Sequence, residues 1–127
     1  MLLVKLFLLS LLLHIIDDFV LQPICLSKLK QQSFWKEHKD YKEKYRHDYQ
    51  MALFIHSLSW TIMISLPLFI FSDNTFWIML IMLPFNIVTH YNTDDAKANK
   101  FQLNLIQDQL IHFGQIVLLY VIVWLCQ

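Results

Sequence analysis

LLVKLFLLSLLLHIIDDFVL, residues 2–21, is an apolar run with a histidine and two aspartates in its second half. A membrane-spanning helix needs about 20 mostly apolar residues, and this run meets that length. His14 and Asp18 are four apart, so a helix places them on one face, one turn above the other. Ionisable groups at membrane depth are costly and point to function by default. The same device recurs as His90 with Asp94 and as Asp108 with His112, while His56 stands alone in another apolar stretch. Each pair is a local clamp of imidazole and carboxylate. The reading of the chain turns on whether the clamps meet.

Three further apolar runs lie at about residues 51–71, 76–89 and 105–126, the third reaching spanning length if it continues through His90 towards Asp94. Of the 127 residues, 57% are hydrophobic and 16% charged, with a formal net charge of zero. A soluble domain carries about 25% charged residues. The single glycine argues against a β-rich protein and against a glycine-loop nucleotide site. The expectation is an all-α membrane protein, residues 1–127 forming a single integral-membrane domain. It would be a four-transmembrane-helix bundle with a short charged cytoplasmic helix between helices one and two. Residues 2–21 read as a retained helix, since Lys5 is their only basic residue and no small-x-small cleavage site follows. Pro23 is expected to end the first helix, Pro67 and Pro84 to kink the second and third, and Gly114 to allow close helix approach. Cys25 and Cys126 define no metal motif and are expected to stay free.

Basic residues bias loops towards the cytoplasm. Lys28, Lys30, Lys36, Lys39, Lys42, Lys44 and Arg46 lie between the first and second runs, Lys97 and Lys100 between the third and fourth, and residues 72–75 hold none. Both basic loops are therefore expected in the cytoplasm and both termini on the other side of an inner or plasma membrane. Phe76, Trp77, Tyr120 and Trp124 would lie at the outer interface and Tyr49 and Tyr91 at the inner one, with Trp60 packed inside. Residues 33–50 read as a helix carrying Lys36/Asp40, Lys39/Glu43, Asp40/Lys44 and Lys44/Asp48 pairs and a row of Tyr41, Tyr45 and Tyr49. Acidic residues interrupt its basic charge, so nucleic acid is not an expected partner. His38 and His47 read as surface residues.

With that topology all the clamps fall at one depth near the cytoplasmic leaflet. His14, Asp18, His56, His90, Asp94, Asp108 and His112 are the candidate metal ligands. Mixed imidazole and carboxylate ligation suits a divalent transition metal, Zn or Mn foremost, as one or two ions. A structural network is the rival. Interhelical polar bonds contribute only about 0.6 kcal/mol on average, while a charge at mid-helix costs roughly 2.5–3.5 kcal/mol to insert. Lys97 is the candidate for holding an anionic group, and Gln22 and Gln109 for orienting ligands or substrate. Asp17, three from His14, could share its face; Asp95, five from His90, should point away. Ser10, Asn86, Asn104 and Gln115 read as packing residues.

The order His14-x3-Asp18-Phe19-x2-Gln22, His56, His90-x3-Asp94-x2-Lys97, Asp108-Gln109-x2-His112 resembles a family of small multi-pass bacterial and phage membrane proteins of undefined function. The likeness covers nearly the whole chain and implies that these are signature positions. The family carries a small residue where this chain has Asp17. More distantly, the pattern is similar to membrane-bound metal-dependent hydrolases. The leading expectation is thus a metal-dependent membrane hydrolase working at the cytoplasmic leaflet, on a lipid or lipid-linked phosphate or a membrane-proximal peptide. A phage-type module that binds or blocks a host membrane protein around a structural metal is the first alternative. Transport of a metal ion or proton is the second, and oligomerisation is left open.

Overall fold

The leucine-rich start of the chain forms α1 (Leu2–Ile15), which runs without a break into a π-helical turn, Ile16–Leu21. The structure is a computed structural model that describes residues 1–22, 24–72 and 75–126. The helix stop expected at Pro23, the Asp73-Asn74 turn and the Cys25 thiol lie outside the described residues. Every described element is helical: α2 (Ile24–Leu29), α3 (Gln32–Lys36), a second π-helical turn (Tyr41–Tyr45), α4 (Asp48–Phe71), α5 (Phe76–Ala98) and α6 (Leu105–Leu125). The all-α expectation holds. Residues Tyr41–Phe71 and α6 are long and apolar enough to cross a membrane. The run from Leu2 carries Lys5, Asp17 and Asp18, and α5 carries Asn86, His90, Asp94 and Lys97. Length and composition therefore mark two spans where four were expected.

The four long helices close a ring in which α1 and α5 each pack on both α4 and α6. One half of its interior is apolar, built from Leu6, Trp60, Ile64, Leu68, Met79, Met82, Ile116, Leu119 and Val123. The other half buries His14, Asp17, His56, His90, Asp94, Asp108 and His112. The outward faces are largely apolar, with Val4, Leu8, Leu12, Phe19, Ile55, Ile62, Phe69, Ile81, Val88, Leu110 and Val121 among the exposed side chains and Lys5, Asn92 and Gln107 interrupting them. Pro67 and Pro84 lie inside α4 and α5, which continue past them.

The charged segment departs from a single helix over residues 33–50. It breaks after α3, where His38 N–H bonds to the Trp35 carbonyl and Tyr41 N–H to that of His38. The cause is aromatic: the Trp35 and Tyr45 rings stack with centroids 5.6 Å apart, and His38 lies 5.7 Å from Trp35, folding the segment on itself. Of the four expected ion pairs only Lys44–Asp40 closes among the described residues, at 3.8 Å. Two smaller expectations also change. Gly114 allows no close approach, because a Cβ there would meet no atom within 4 Å. Tyr120 is buried and bonds to Ser10 at 2.8 Å instead of sitting in an interfacial belt, whereas Trp77 and Trp124 are exposed.

The start of α6 is capped reciprocally. Asn104 Oδ1 accepts from the Gln107 backbone N–H at 2.9 Å, and Gln107 Oε1 accepts from the Asn104 N–H at 3.0 Å. This satisfies two helix-terminal donors and fixes where Asp108 enters the bundle. Asn104→Ala should lower stability by about 1 kcal/mol and Asn104→Asp by much less, read from denaturant unfolding in detergent micelles.

Candidate metal centre

The site is assembled from the last turns of α1 and α5 and the first turns of α4 and α6, so helices of alternating direction bring their polar ends together. At the end of α1 the π-helical turn carries about one more residue per turn than an α-helix, which narrows the angle between Asp17 and Asp18, both of them inward-facing. Asp17 is buried and accepts a hydrogen bond from Ser59 Oγ at 2.7 Å. Asp18 points to the same interior, with Oδ1 at 3.3 Å from His56 Nε2.

Each carboxylate that faces a histidine divides its two oxygens. Asp94 presents Oδ1 to His112 Nε2 at 3.3 Å, and its Oδ2 accepts from Lys30 Nζ at 2.5 Å. Asp108 presents Oδ1 to the same His112 Nε2 at 3.4 Å, and its Oδ2 accepts from Lys97 Nζ at 2.6 Å. Asp18 presents Oδ1 to His56, and its Oδ2 accepts from Gln109 Nε2 at 3.2 Å. In these three, one oxygen is held by an N–H donor while the other is aimed at an imidazole; Asp94 Oδ2 also lies 3.5 Å from His56 Nε2, and Asp18 Oδ2 3.6 Å from His14 Nδ1. Metal-bound carboxylates are commonly held this way by neighbouring donors.

The histidines are oriented to match. His112 Nδ1 lies 3.3 Å from Gln115 Oε1, which can only accept, so Nδ1 carries a proton and Nε2 is the nitrogen turned to Asp94 and Asp108. Gln115 is fixed in turn, because its Nε2 donates to the Asn86 backbone and side-chain oxygens at 3.2 and 3.3 Å. His56 repeats the arrangement, with Nδ1 3.7 Å from Asp17 Oδ2 and Nε2 towards Asp18 and Asp94. His90 is wholly buried, its ring against those of Trp60 (4.3 Å) and His112 (4.1 Å), and neither ring nitrogen has a hydrogen-bond partner.

Imidazole nitrogens aimed at carboxylate oxygens need positive charge between them, carried by a ring proton or by a metal ion. The nitrogen–oxygen gaps of 3.3–3.5 Å at His56 and His112 are longer than the usual 2.7–3.2 Å of an N–H···O bond. Ligand atoms held 2.0–2.1 Å from a tetrahedral zinc lie about 3.4 Å apart. Asp17 Oδ2, Asp18 Oδ1, both His90 nitrogens, Asp108 Oδ1 and His112 Nε2 are buried without a hydrogen bond. At about 1–3 kcal/mol each, six such atoms would cost as much as the entire stability of a small domain, roughly 5–15 kcal/mol. Two sets of side chains bring their ligand atoms within 4.8 Å of one another: Asp18, His56 and His90, and His90, Asp94 and His112.

Five of the seven expected ligands thus form the two sets, and Asp108 borders the second. His14 is the correction. Its Nδ1 accepts from Trp60 Nε1 at 2.7 Å, so in the neutral ring the proton sits on Nε2 and no lone pair is left for an ion. Gln22 lies beside the centre, its amide oxygen on Lys30 Nζ and its nitrogen donating to the Asp18 carbonyl at 3.3 Å. Asp95 points away as expected, pairing with Lys100 at 2.7 Å, and that hydrogen bond raises the Lys100 pKa. Lys30, Ser59 and the Trp60 indole were missed as site residues, and Gln115 turns out to orient His112. Lys30 looks like any other loop lysine in the sequence, yet it is only 8% exposed. Asn99 fastens its segment to the end of α5, donating to the Lys30 carbonyl at 3.1 Å and accepting from Gln32 N–H at 2.7 Å.

The chain matches no family model, no curated protein and no solved structure.

Metal content measured by elemental analysis after repletion with zinc or manganese separates these roles. His90→Ala should abolish stoichiometric binding, and Gln115→Leu should weaken it about 10- to 100-fold. His14→Ala should keep the metal; its loss there would return His14 to the ligand set.

Proposed function

We propose that the protein is a metal-dependent membrane hydrolase with a histidine–aspartate centre near the cytoplasmic leaflet. The observation that carries this is the divided carboxylates, each with one oxygen secured by a donor and the other turned to an imidazole nitrogen. The bilayer reading is a bundle of four spans with the basic connections in the cytoplasm and both termini outside. Its support is the apolar outer face of all four long helices, since soluble monomers rarely expose apolar patches beyond a few hundred Å². The resemblance to small multi-pass phage and bacterial membrane proteins belongs to the same proposal.

Zinc or manganese, as one or two ions, fits the mixed donor set. When bound, the ion lowers the pKa of a water molecule and polarises the bond to be cleaved. Asp108, outside both ligand sets and held by Lys97, takes the proton from the water. The water oxygen bonds to the electrophilic atom, the bond to the leaving group breaks, and Asp108 returns the proton to the leaving group. Gln109 holds Asp18 and Asp108 in place through hydrogen bonds of 3.2 and 3.1 Å. Gln22 does the same for Lys30.

Transport of an ion or proton is the second reading. It is favoured by Ser57, Thr61 and Ser65, buried four apart on α4 beyond His56. Against it, Trp60, Ile64, Leu68 and Leu119 are fully buried and close the far half of the bundle.

Two measurements test the proposal. Single cysteines replacing Lys39 and Lys100 should react with impermeant reagents only from the cytoplasmic side; opposite sides would remove the common depth. Purified protein in bilayers should turn over a phospholipid or lipid-linked phosphate and lose that activity on chelation. Asp108→Asn should cut turnover about 10²- to 10⁴-fold while metal content stays. A metal-replete wild type with no turnover of any such substrate would leave the centre structural.

A further inference from the structure

Beside the centre lies a cleft of about 290 Å³ lined by Gln22, Lys30, Asp94, Lys97, Ala98 and Phe101, among others. We infer that this cleft seats a phosphate monoester, held between the ammonium groups of Lys30 and Lys97; the inference rests on the hydrolase reading and names its substrate class.

The two lysines flank one point. They bond to the outer oxygens of Asp94 and Asp108, whose inner oxygens both lie 3.3–3.4 Å from the single His112 Nε2. Each ammonium has three N–H donors, and its carboxylate takes one. Gln22 takes a second from Lys30. The remaining donors belong to residues that line the cleft. Lys30 is nine-tenths buried, and burying an ammonium is costly unless its charge has a standing use.

Charge selects the ligand. Asp17, Asp18, Asp94 and Asp108 bring four negative charges, and Lys30 and Lys97, paired with Asp94 and Asp108, bring two positive ones, which leaves two negative charges uncompensated while the histidines are neutral. One divalent ion brings the cluster to neutrality. A second makes it doubly positive, the charge that a monoester dianion cancels. A peptide bond brings no charge to this cleft. Two lysines at a metal centre match developing charge on a transferring phosphoryl group.

Phe101 suggests how such a group arrives. Its backbone is left-handed (φ 55°), a conformation costly for an aromatic residue, and its ring is 85% exposed at the rim of the cleft. Leu105 and Ile106 are exposed just beyond it. An apolar rim beside a basic cleft suits a phosphate carried on a lipid, although a soluble monoester offers the same group.

The test uses full-length protein in nanodiscs, with metal content measured in every sample. Inorganic phosphate is titrated by calorimetry. Lys97→Met and Lys30→Met should each weaken phosphate binding at least tenfold with metal content preserved, and Lys30→Arg should recover most of it. Unchanged phosphate affinity in both methionine variants overturns the inference and leaves the metal reading standing. Should Lys30→Met fail to fold, the part-exposed Lys97 decides alone. Absence of metal from the wild type strikes the hydrolase reading instead, and phosphate binding that still depends on lysine would keep the subsite. Turnover separates the sources. Vesicles containing phosphatidic acid should be hydrolysed faster than p-nitrophenyl phosphate if the substrate is a lipid, and slower if it is soluble. Turnover of phosphatidylcholine with neither monoester cleaved overturns the charge assignment.

Discussion

The bundle depends on how Asp94 is shared. One oxygen faces His112 from α6, and the other meets Lys30 from the segment after α1 and approaches His56 from α4 at 3.5 Å. Three other parts of the chain converge on one carboxylate of α5. A lone buried anion would be intolerable in a bundle with an apolar exterior, so its neighbours must supply positive charge. Lys30 and Lys97 supply two units against four aspartates, which leaves two negative charges. The remaining charge balance is the physical reason for placing a cation among the imidazoles.

Trp60 joins the two halves of the interior. Its ring belongs to the apolar core and stacks on His90, while its N–H holds His14. His14 and Trp60 therefore act as a wall, fixing the rotamer of His90 through packing and not through ligation. This explains why a histidine at helical spacing from Asp18 need not bind the ion. The spacing puts it on the correct face, but a neighbouring indole has claimed its lone pair.

Much of this was legible in the residues. The three clamps and His56 pointed to the meeting place of the polar groups, because a period of four on helices alternating in direction carries that information. Other features depended on tertiary contacts that no local pattern encodes. The fold of Trp35 against Tyr45 breaks a segment whose charge spacing reads as continuous helix. Lys30 acquires its role from Asn99, 69 positions away, and nothing in Lys28-Leu29-Lys30 distinguishes it. Gln115 resembles any amide packed between helices until its oxygen is seen on His112.

Asp17 shows how local irregularity and site chemistry are linked. Asp17 and Asp18 stand three and four residues after His14 and so flank its inward face. The wider π-helical turn narrows the angle between them. It places Asp17 behind His56 Nδ1 at 3.7 Å, in addition to Asp18 and Asp94 before Nε2. An irregular turn carries a conformational cost that an inert span of leucines has no reason to bear. Here the return is a third carboxylate around His56, and this couples the geometry of the first helix to the chemistry of the centre.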